Sequence, residues 1–405
     1  MINWEADFME FQMTDDVLTI FLSGRIKADN ASAVDAELSK IIKSNPSNAL
    51  VLDATDLEYI ASAGLRVLMK CRKASKKKVA IQNVSKAVFD VLEMTSFTKL
   101  FEVSKKPREI SIDGCSQVGM GLSSKVYRID PETIVKVYDR KVPFYKISRE
   151  IDLAKKAFVL GVPTAISYDL VRVGEAYGVV FEMIADAKAV GDALQANDCR
   201  DFDEIMKKFA TLLKTLHQTE ATKDSGLPSI KGTWLDWAKG MSAYYTQEEY
   251  DMLRRMIEEI PDRNTLVHCD FHAGNTLYQD GEVVVIDMAD FGFGHPVFDF
   301  AAGSFHKTMR HGENFQRSLN LSEENILRFW NTLLEMYFET KDRTRLDEID
   351  QTFHAFALLR GALFPMKHVQ ISPEARQFHI DNARKNFFPQ FDWCMEQTAR
   401  LKTIL

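Results

Sequence analysis

Cysteine is scarce and irregularly placed: Cys71, Cys115, Cys199, Cys269 and Cys394 are spread over 405 residues, and no Cys-x-x-Cys occurs. An odd, scattered set excludes a disulfide framework and a thiolate zinc site. Glycine, at 19, and proline, at 11, are too few for collagen-like or proline-rich architectures. Nowhere do about 18 apolar residues run uninterrupted, so no membrane span is expected. The opening MINWEADFMEF lacks a basic segment followed by an apolar run, and no secretory signal is expected there. Positive charge is also in deficit: 51 Lys and Arg against 58 Asp and Glu give a net charge of −7. That balance argues against a general nucleic-acid binder. The chain reads as a soluble cytoplasmic protein.

What is present is 46% apolar and 11% aromatic, enough for packed cores and too much for an intrinsically disordered chain. The length suggests two or three domains. The sharpest compositional break is the charged stretch SKKPREISI, at about 103–112. Ahead of it, strands and helices alternate. The pattern predicts a strand at Val17–Leu22, a helix from Asn30 to Ile42 ended by Asn45-Pro46, and a short buried strand at Ala49–Leu52. A helix opens at Leu65–Cys71, a strand follows at Val79–Gln82, and a helix runs through Val88, Leu92 and Met94. This is the pattern of a small α/β domain with a partly parallel sheet. Beyond the break, 113–186 reads as β-rich with one helix near Ser148–Leu160. Residues 200–260 read as helical, 264–300 as a loop and hairpin dense in Asp, His and Gly, and 301–405 as helical. No internal repeat is visible.

The segment VLDATDLEYIASAGLRVLMKCRKA places a strand, an acidic turn, and then Ser62-Ala63-Gly64 at a helix start. It resembles the STAS domain of bacterial anti-sigma factor antagonists, and the resemblance extends over 1–103, from LTIFLSGRI to VSKAVFDVLEMTSFTKLFEV. It implies that Ser62 is a phosphorylation switch read by a partner, although Ala61 and Ala63 depart from the family pattern. A phosphate there would meet free N–H groups at a helix N-terminus. The residue type alone equally suits an ordinary N-cap. Arg66, Lys70, Arg72, Lys73 and Lys76–Lys78 form a basic run that reads first as a solvated helix face.

The most informative stretch is LVHCDFHAGNTLYQDGEVVVIDMADFGFGHPVFDFA, residues 266–301. His268, Asp270 and Asn275 form H-x-D-x-x-x-x-N, followed by a hairpin turning at Asp280-Gly281. The returning strand, Val283–Ile286, ends at Asp287. This order suits phosphoryl transfer: one carboxylate faces the attacking hydroxyl, while an amide and a second carboxylate hold Mg²⁺ against the phosphates. The module resembles the aminoglycoside phosphotransferase and choline kinase group of protein-kinase-like enzymes. The resemblance implies Asp270 as catalytic base, Asn275 and Asp287 as metal ligands, and His268 and Asp299 as braces of the loop. Cys269 stands where glycine is usual. Asp290 of Asp290-Phe291-Gly292 is a rival to Asp287 as metal ligand, and the strand-end position favours Asp287. His272 reads as loop architecture.

Upstream, VGMGLSSKVYRI reads as strand, glycine-rich turn and strand, with Gly119, Gly121, Ser123 and Ser124 able to approach phosphates. By the resemblance Lys136 contacts the α- and β-phosphates and Glu150 is its partner. Phe181 falls at the gatekeeper position, and the backbones of Glu182 and Ile184 reach the adenine. The expected fold is a small α/β STAS-like domain (mixed sheet with helices) at 1–103, followed after a linker at 104–112 by an α+β protein-kinase-like bilobal domain. Its N-lobe and hinge take 113–186, and its helical C-lobe takes 187–405 with the catalytic loop at 266–301.

Three functions fit these readings. The first is a Mg-ATP- or GTP-dependent phosphotransferase acting on a hydroxyl or amine of a small molecule. The second is a signalling kinase that modifies a protein, including its own Ser62. The third is a nucleotide-binding pseudokinase scaffold, disfavoured by the intact Lys136, Asp270, Asn275 and Asp287. In each, the STAS-like module serves as a docking or regulatory element for a protein partner. The region after Asp299 mixes Glu313 and Glu335 with Arg310 and Arg317, leaving the acceptor's charge open.

Overall fold

A computed structural model describes residues 9–14, 17–45, 47, 49–75, 79–121, 123–195, 201–222, 225–368 and 371–405. Pro46, Lys76–Lys78, Leu122, Cys199 and most of MINWEADFMEF lie outside the described residues. The chain divides into two compact units, Met1–Glu109 and Ile110–Leu405.

The first unit is built on a five-stranded sheet, in the order Phe11–Thr14, Val17–Ile26, Ala49–Ile60, Val79–Val84 and Glu102–Lys105. The first pair is antiparallel and the rest are parallel. Parallel neighbours need crossovers, which the helices Ala31–Ser44, Ser62–Ser75 and Lys86–Met94 supply. Leu18, Ile20, Leu22, Leu50, Leu52 and Ala54 alternate inward from the central strands and are buried. Helix Ser62–Ser75 approaches the sheet closely at Gly64, where an added Cβ would stand 2.7 Å from Ile60 and 2.8 Å from Ile26.

Two sequence expectations change here. The strand expected to end at Leu52 runs on to Ile60, so the acidic stretch is strand rather than turn. Its pairing with Val17–Ile26 shifts register between Phe21 and Ser23 and again between Gly24 and Arg25. These bulges lengthen the spacing of buried residues after Ala54 to Leu57 and Ile60, which hides the strand's period of two. The Asp53 carboxylate secures the bend by accepting from the Thr55 N–H at 2.8 Å and from Asn83 Nδ2 at 2.8 Å. The second change concerns Ser62. The Leu65 N–H donates to the Ala61 carbonyl, so Ala61 holds the cap position and Ser62 is the exposed first residue of the helix.

The second unit begins with antiparallel strands lying in the order Ser167–Val173, Ala176–Glu182, Thr133–Tyr138, Ser124–Arg128 and Ser116–Met120. The helix expected near Ser148 starts earlier, spanning Phe144–Val159 directly after Pro143. The rest is helical around a core that includes Trp234, Phe298, Phe300, Trp330, Phe353 and Phe356. Helix Arg343–Lys367 packs along Val297–Thr308 at its centre. One hairpin, Thr276–Gln279 with Glu282–Val285, turns at Asp280 and Gly281, whose φ values of +49° and +81° are those an Asp-Gly turn tolerates. Among the described residues, no helix is long and apolar enough to cross a membrane.

Six histidines are packed into this unit with their pKa values pushed down by burial: His272 and His379 to about 4, His295 and His368 to about 3, His306 well below the usual value and His354 below it. An unfolded histidine titrates near pH 6.5. The unfolded chain therefore binds more protons than the folded one below that pH, and stability is lost progressively from about pH 6.5 towards pH 4. The slope is up to about 1.4 kcal/mol per pH unit for each histidine concerned. We expect the urea midpoint reported by fluorescence of the buried Trp234 and Trp330 to fall steadily between pH 7.5 and 5. A midpoint that stays level over that range contradicts this account.

Candidate active site

Asp299, near the start of helix Val297–Thr308, is buried and accepts hydrogen bonds from three sides. Its Oδ1 takes the Cys269 N–H at 2.5 Å, and its Oδ2 takes the His268 N–H at 3.0 Å. His217 Nε2 lies 3.0 Å from the same Oδ2, with the Tyr337 hydroxyl 2.8 Å from its Nδ1. The His268 ring continues the brace. Its Nδ1 accepts the Asp270 N–H at 3.3 Å, so its Nε2 carries the proton and donates to the Ile286 carbonyl at 3.1 Å. Cys269 between them has φ +66°, a left-handed backbone that accounts for glycine being usual there.

The loop delivers Asp270 with its side chain about a quarter exposed, at 26%. Arg360 donates Nη2 to Asp270 Oδ1 at 2.8 Å and Nη1 to the Cys269 carbonyl at 3.0 Å. Lys367 Nζ lies 3.1 Å from Asp270 Oδ2 and 2.8 Å from Asp290 Oδ2. Burial alone would raise the Asp270 pKa, but the charges of Lys367 and Arg360 beside it hold the carboxyl well below its ordinary range. Asn275 donates Nδ2 to the Asp270 carbonyl at 3.1 Å and its N–H to His272 at 2.9 Å, which leaves its amide oxygen available.

Asp287 follows the returning strand with φ +65° and its side chain is 39% exposed. Its Oδ1 lies 3.2 Å from Lys136 Nζ, which is also 2.7 Å from Glu150 Oε1. Burial opposes the charge on Lys136, yet Asp287 and Glu150 outweigh it and raise the lysine's pKa well above its usual value. The two rival aspartates thus belong to different clusters: Asp287 with Lys136 and Glu150, Asp290 with Lys367 and Asp270. Asp270, His272 and His306 bring potential metal-ligand atoms within 4.8 Å of one another. With Arg360 and Lys367 already on both oxygens of Asp270, a further cation there is electrostatically disfavoured.

In the glycine-rich turn, the Gly121 N–H donates to the Ser124 carbonyl at 2.9 Å and the Ser123 carbonyl accepts from Asp139 at 2.9 Å. Ser124 is buried, and Gly119 lies against Val126. Glu182 is tied twice to Ile166: its N–H donates to the Ile166 carbonyl at 2.9 Å, and its Oε2 accepts the Ile166 N–H at 3.2 Å. The Ile184 carbonyl accepts from Ala187. Gly274, inside the catalytic loop, lies so close to the end of helix Glu313–Leu319 that an added Cβ would fall 1.8 Å from the Ser318 carbonyl oxygen. Glu313 and Arg317, named from sequence as acceptor-side charges, pair with each other at 3.0 Å on the exposed surface. Arg360 and Lys367 were not singled out from the sequence. The signal was a lone arginine inside the apolar run FALLRGALF, where a cation is buried only with a partner.

Known proteins resemble each of the two units. The model of a family described as "Mlab, STAS domain" matches residues 9–102. A relative from Bordetella bronchiseptica strain RB50, named as the anti-sigma factor antagonist BtrV, is 30% identical over 93 residues, covering 22% of this chain and 79% of that protein. Among solved structures, the streptomycin–ATP–APH(2'')-IIa ternary complex gives a TM-score of 0.45 at 17% identity, covering 68% of this chain and 93% of that one. A choline/ethanolamine kinase family protein from Mesorhizobium loti gives 0.41 at 15% identity, covering 72% and 87%. The model of the phosphotransferase enzyme family matches residues 114–324, more than half of the chain. The protein is therefore a member of the phosphotransferase enzyme family that carries a STAS domain in its N-terminal unit.

Proposed function

We propose that the second unit transfers the terminal phosphoryl group of ATP or GTP to a hydroxyl of a small molecule. The STAS domain then serves as a docking or regulatory element for a protein partner. The observation that carries this reading is the pair of clusters on one catalytic loop and hairpin. Lys136 is held by Glu150 and Asp287, and an ionised Asp270 is held by Arg360 and Lys367.

The residues fit Mg²⁺: the free amide oxygen of Asn275 and the partly exposed Asp287 carboxylate are the hard oxygen donors it prefers. When bound, the ion neutralises charge on the phosphates. Lys136, kept charged by its two acids, adds a fixed positive group for the α- and β-phosphates. Gly119 and Gly121 let the turn approach the phosphates, with Ser123 and Ser124 beside them. The backbones of Glu182 and Ile184 edge the base. Asp270, ionised at neutral pH, accepts a hydrogen bond from the acceptor hydroxyl and aims its oxygen. A new O–P bond forms as the bond to the β-phosphate oxygen breaks, and its electron pair leaves with the diphosphate. The hydroxyl proton passes to Asp270 and then to solvent. A base held so far down acts mainly by orientation and takes the proton late.

A second reading has Ser62 as the acceptor, because it is exposed at the first position of its helix. Intact mass after incubation with Mg-ATP separates the two. One added phosphate that is lost in Ser62→Ala favours the protein acceptor, and its absence alongside ATP consumption favours the small molecule.

Asp270→Asn should lower turnover by about 10²-fold or more while leaving nucleotide affinity within a few-fold. ADP release and a fluorescent nucleotide titration measure the two, and near-normal turnover in the variant would sink the mechanism. The two aspartates should also part company. Asp287→Asn is expected to weaken Mg²⁺-dependent nucleotide binding about tenfold or more, and Asp290→Asn to leave it unchanged, as read by titrating Mg²⁺ at fixed nucleotide. The reverse order would move the metal to Asp290.

A further inference from the structure

We infer that Tyr337 is a positioning residue for the catalytic loop. Its hydroxyl fixes the proton of His217 on Nε2 and so keeps the Asp299 carboxylate turned to the two N–H groups that aim Asp270. Its effect on turnover rests on the phosphotransferase reading, whereas its hold on the loop does not.

The proton positions follow from what each group can offer. Asp299 takes the Cys269 N–H at 2.5 Å on Oδ1 and the His268 N–H at 3.0 Å on Oδ2. An ionised carboxylate accepts and has no proton to give. His217 Nε2, 3.0 Å from Oδ2, is therefore the protonated nitrogen and donates. In a neutral imidazole that leaves Nδ1 as an acceptor, and the Tyr337 hydroxyl at 2.8 Å is the donor that meets it. Burial and the Asp299 charge push the tyrosine's pKa up, so the hydroxyl keeps its proton. Among the described residues, His217 is the one hydrogen-bond partner of that hydroxyl. A doubly protonated ring would point an N–H at the hydroxyl oxygen and leave the hydroxyl proton without an acceptor there. The His217 and Asp299 side chains are 2% and 1% exposed, so bulk water cannot stand in for a missing member.

The chain of contacts joins three helices to the loop. Tyr337 lies on helix Glu323–Phe338, and His217 in the last turn of helix Phe202–Gln218. Asp299 belongs to helix Val297–Thr308, next to Phe300, whose ring meets the Tyr337 ring edge-on at 4.8 Å. Ring packing therefore holds Tyr337 in place, and the hydroxyl adds one directed bond. Tyr337→Phe removes that bond and keeps the aromatic contacts. His217 Nδ1 is then left with an unmet lone pair in a buried site. If the proton moves to Nδ1 to relieve this, the Nε2 lone pair faces Asp299 Oδ2, and the two repel. Either way the carboxylate loses its third donor and is free to turn from the loop. His268 and Cys269 immediately precede Asp270, and Cys269 holds a left-handed backbone at φ +66°. Slack at Asp299 thus passes directly into the direction of Asp270.

The test compares the full chain with its Tyr337→Phe variant. NMR of isotope-labelled histidine, with His217 assigned by the loss of its signals in His217→Gln, reads which ring nitrogen carries the proton. Amide hydrogen exchange reads the loop. We expect the unmodified chain to show a neutral His217 protonated on Nε2, and the variant to show a displaced Nδ1 signal. The His268 and Cys269 amides should exchange about tenfold or more faster in the variant, with the rates along helix Glu323–Phe338 unchanged. Turnover should fall about tenfold at an unaltered KM for Mg-ATP. Four results overturn the proposal. They are a proton on His217 Nδ1 in the unmodified chain, loop exchange unchanged in Tyr337→Phe, exchange that quickens equally along helix Glu323–Phe338, and a loosened loop with undiminished turnover. The NMR spectrum of the unmodified chain decides alone if Tyr337→Phe does not fold. If the unmodified chain consumes no ATP, the phosphotransferase reading fails by itself, and the NMR and exchange results still decide the role of Tyr337.

Discussion

The Asp299 carboxylate takes the N–H groups of two successive residues, His268 and Cys269, and so holds the chain in a turn that a side-chain-bearing residue adopts only under constraint. A left-handed non-glycine residue is less stable by about 1–3 kcal/mol and persists where its surroundings over-determine it. Here they do: Cys269 donates to Asp299 and accepts from Arg360, while His268 reaches across to the end of the hairpin at Ile286. The turn fixes the direction of Asp270, and the Ile286 contact ties that direction to the strand that presents Asp287. Asp270 and Asp287 are therefore both registered against one buried acid on a helix of the core.

From this frame two charge clusters diverge. Lys136, Glu150 and Asp287 carry one more acid than base, a balance that would suit the proposed divalent cation. Asp270, Asp290, Arg360 and Lys367 carry equal numbers of each and sit in a shell of neutral imidazoles. The sum over a cluster, more than any single pair, decides what charge it welcomes. Asp290 is paired with Lys367 and so belongs to this second cluster, apart from Asp287.

The parts legible in the sequence are those whose partners are close along the chain or set by a rigid local turn. Asp270 and Asn275 share one loop, and the Asp280-Gly281 turn folds Asp287 back beside it. Lys136 and Glu150 are separated by one strand and the start of one helix, so their order sufficed to pair them. Legibility failed where tertiary context overrode a local pattern. The strand through Ile60 was hidden because its bulges break the period of two. Arg360 and Lys367 were missed because they lie about ninety positions beyond Asp270, on a helix whose apolar residues point all round and give no face to read.

That failure has a structural cause that bears on specificity. The catalytic loop is gripped from outside by parts of the chain that follow it. The end of helix Glu313–Leu319 presses its carbonyls onto Gly274 and Gly191, and helix Arg343–Lys367 brings its two cations to Asp270. These late helices share no spacing rule with the loop, because packing alone positions them. Changes in them would alter the groups around Asp270 without touching Lys136, Glu150 or Asp287. A fold divided in this way can retain its phosphoryl chemistry while its acceptor changes.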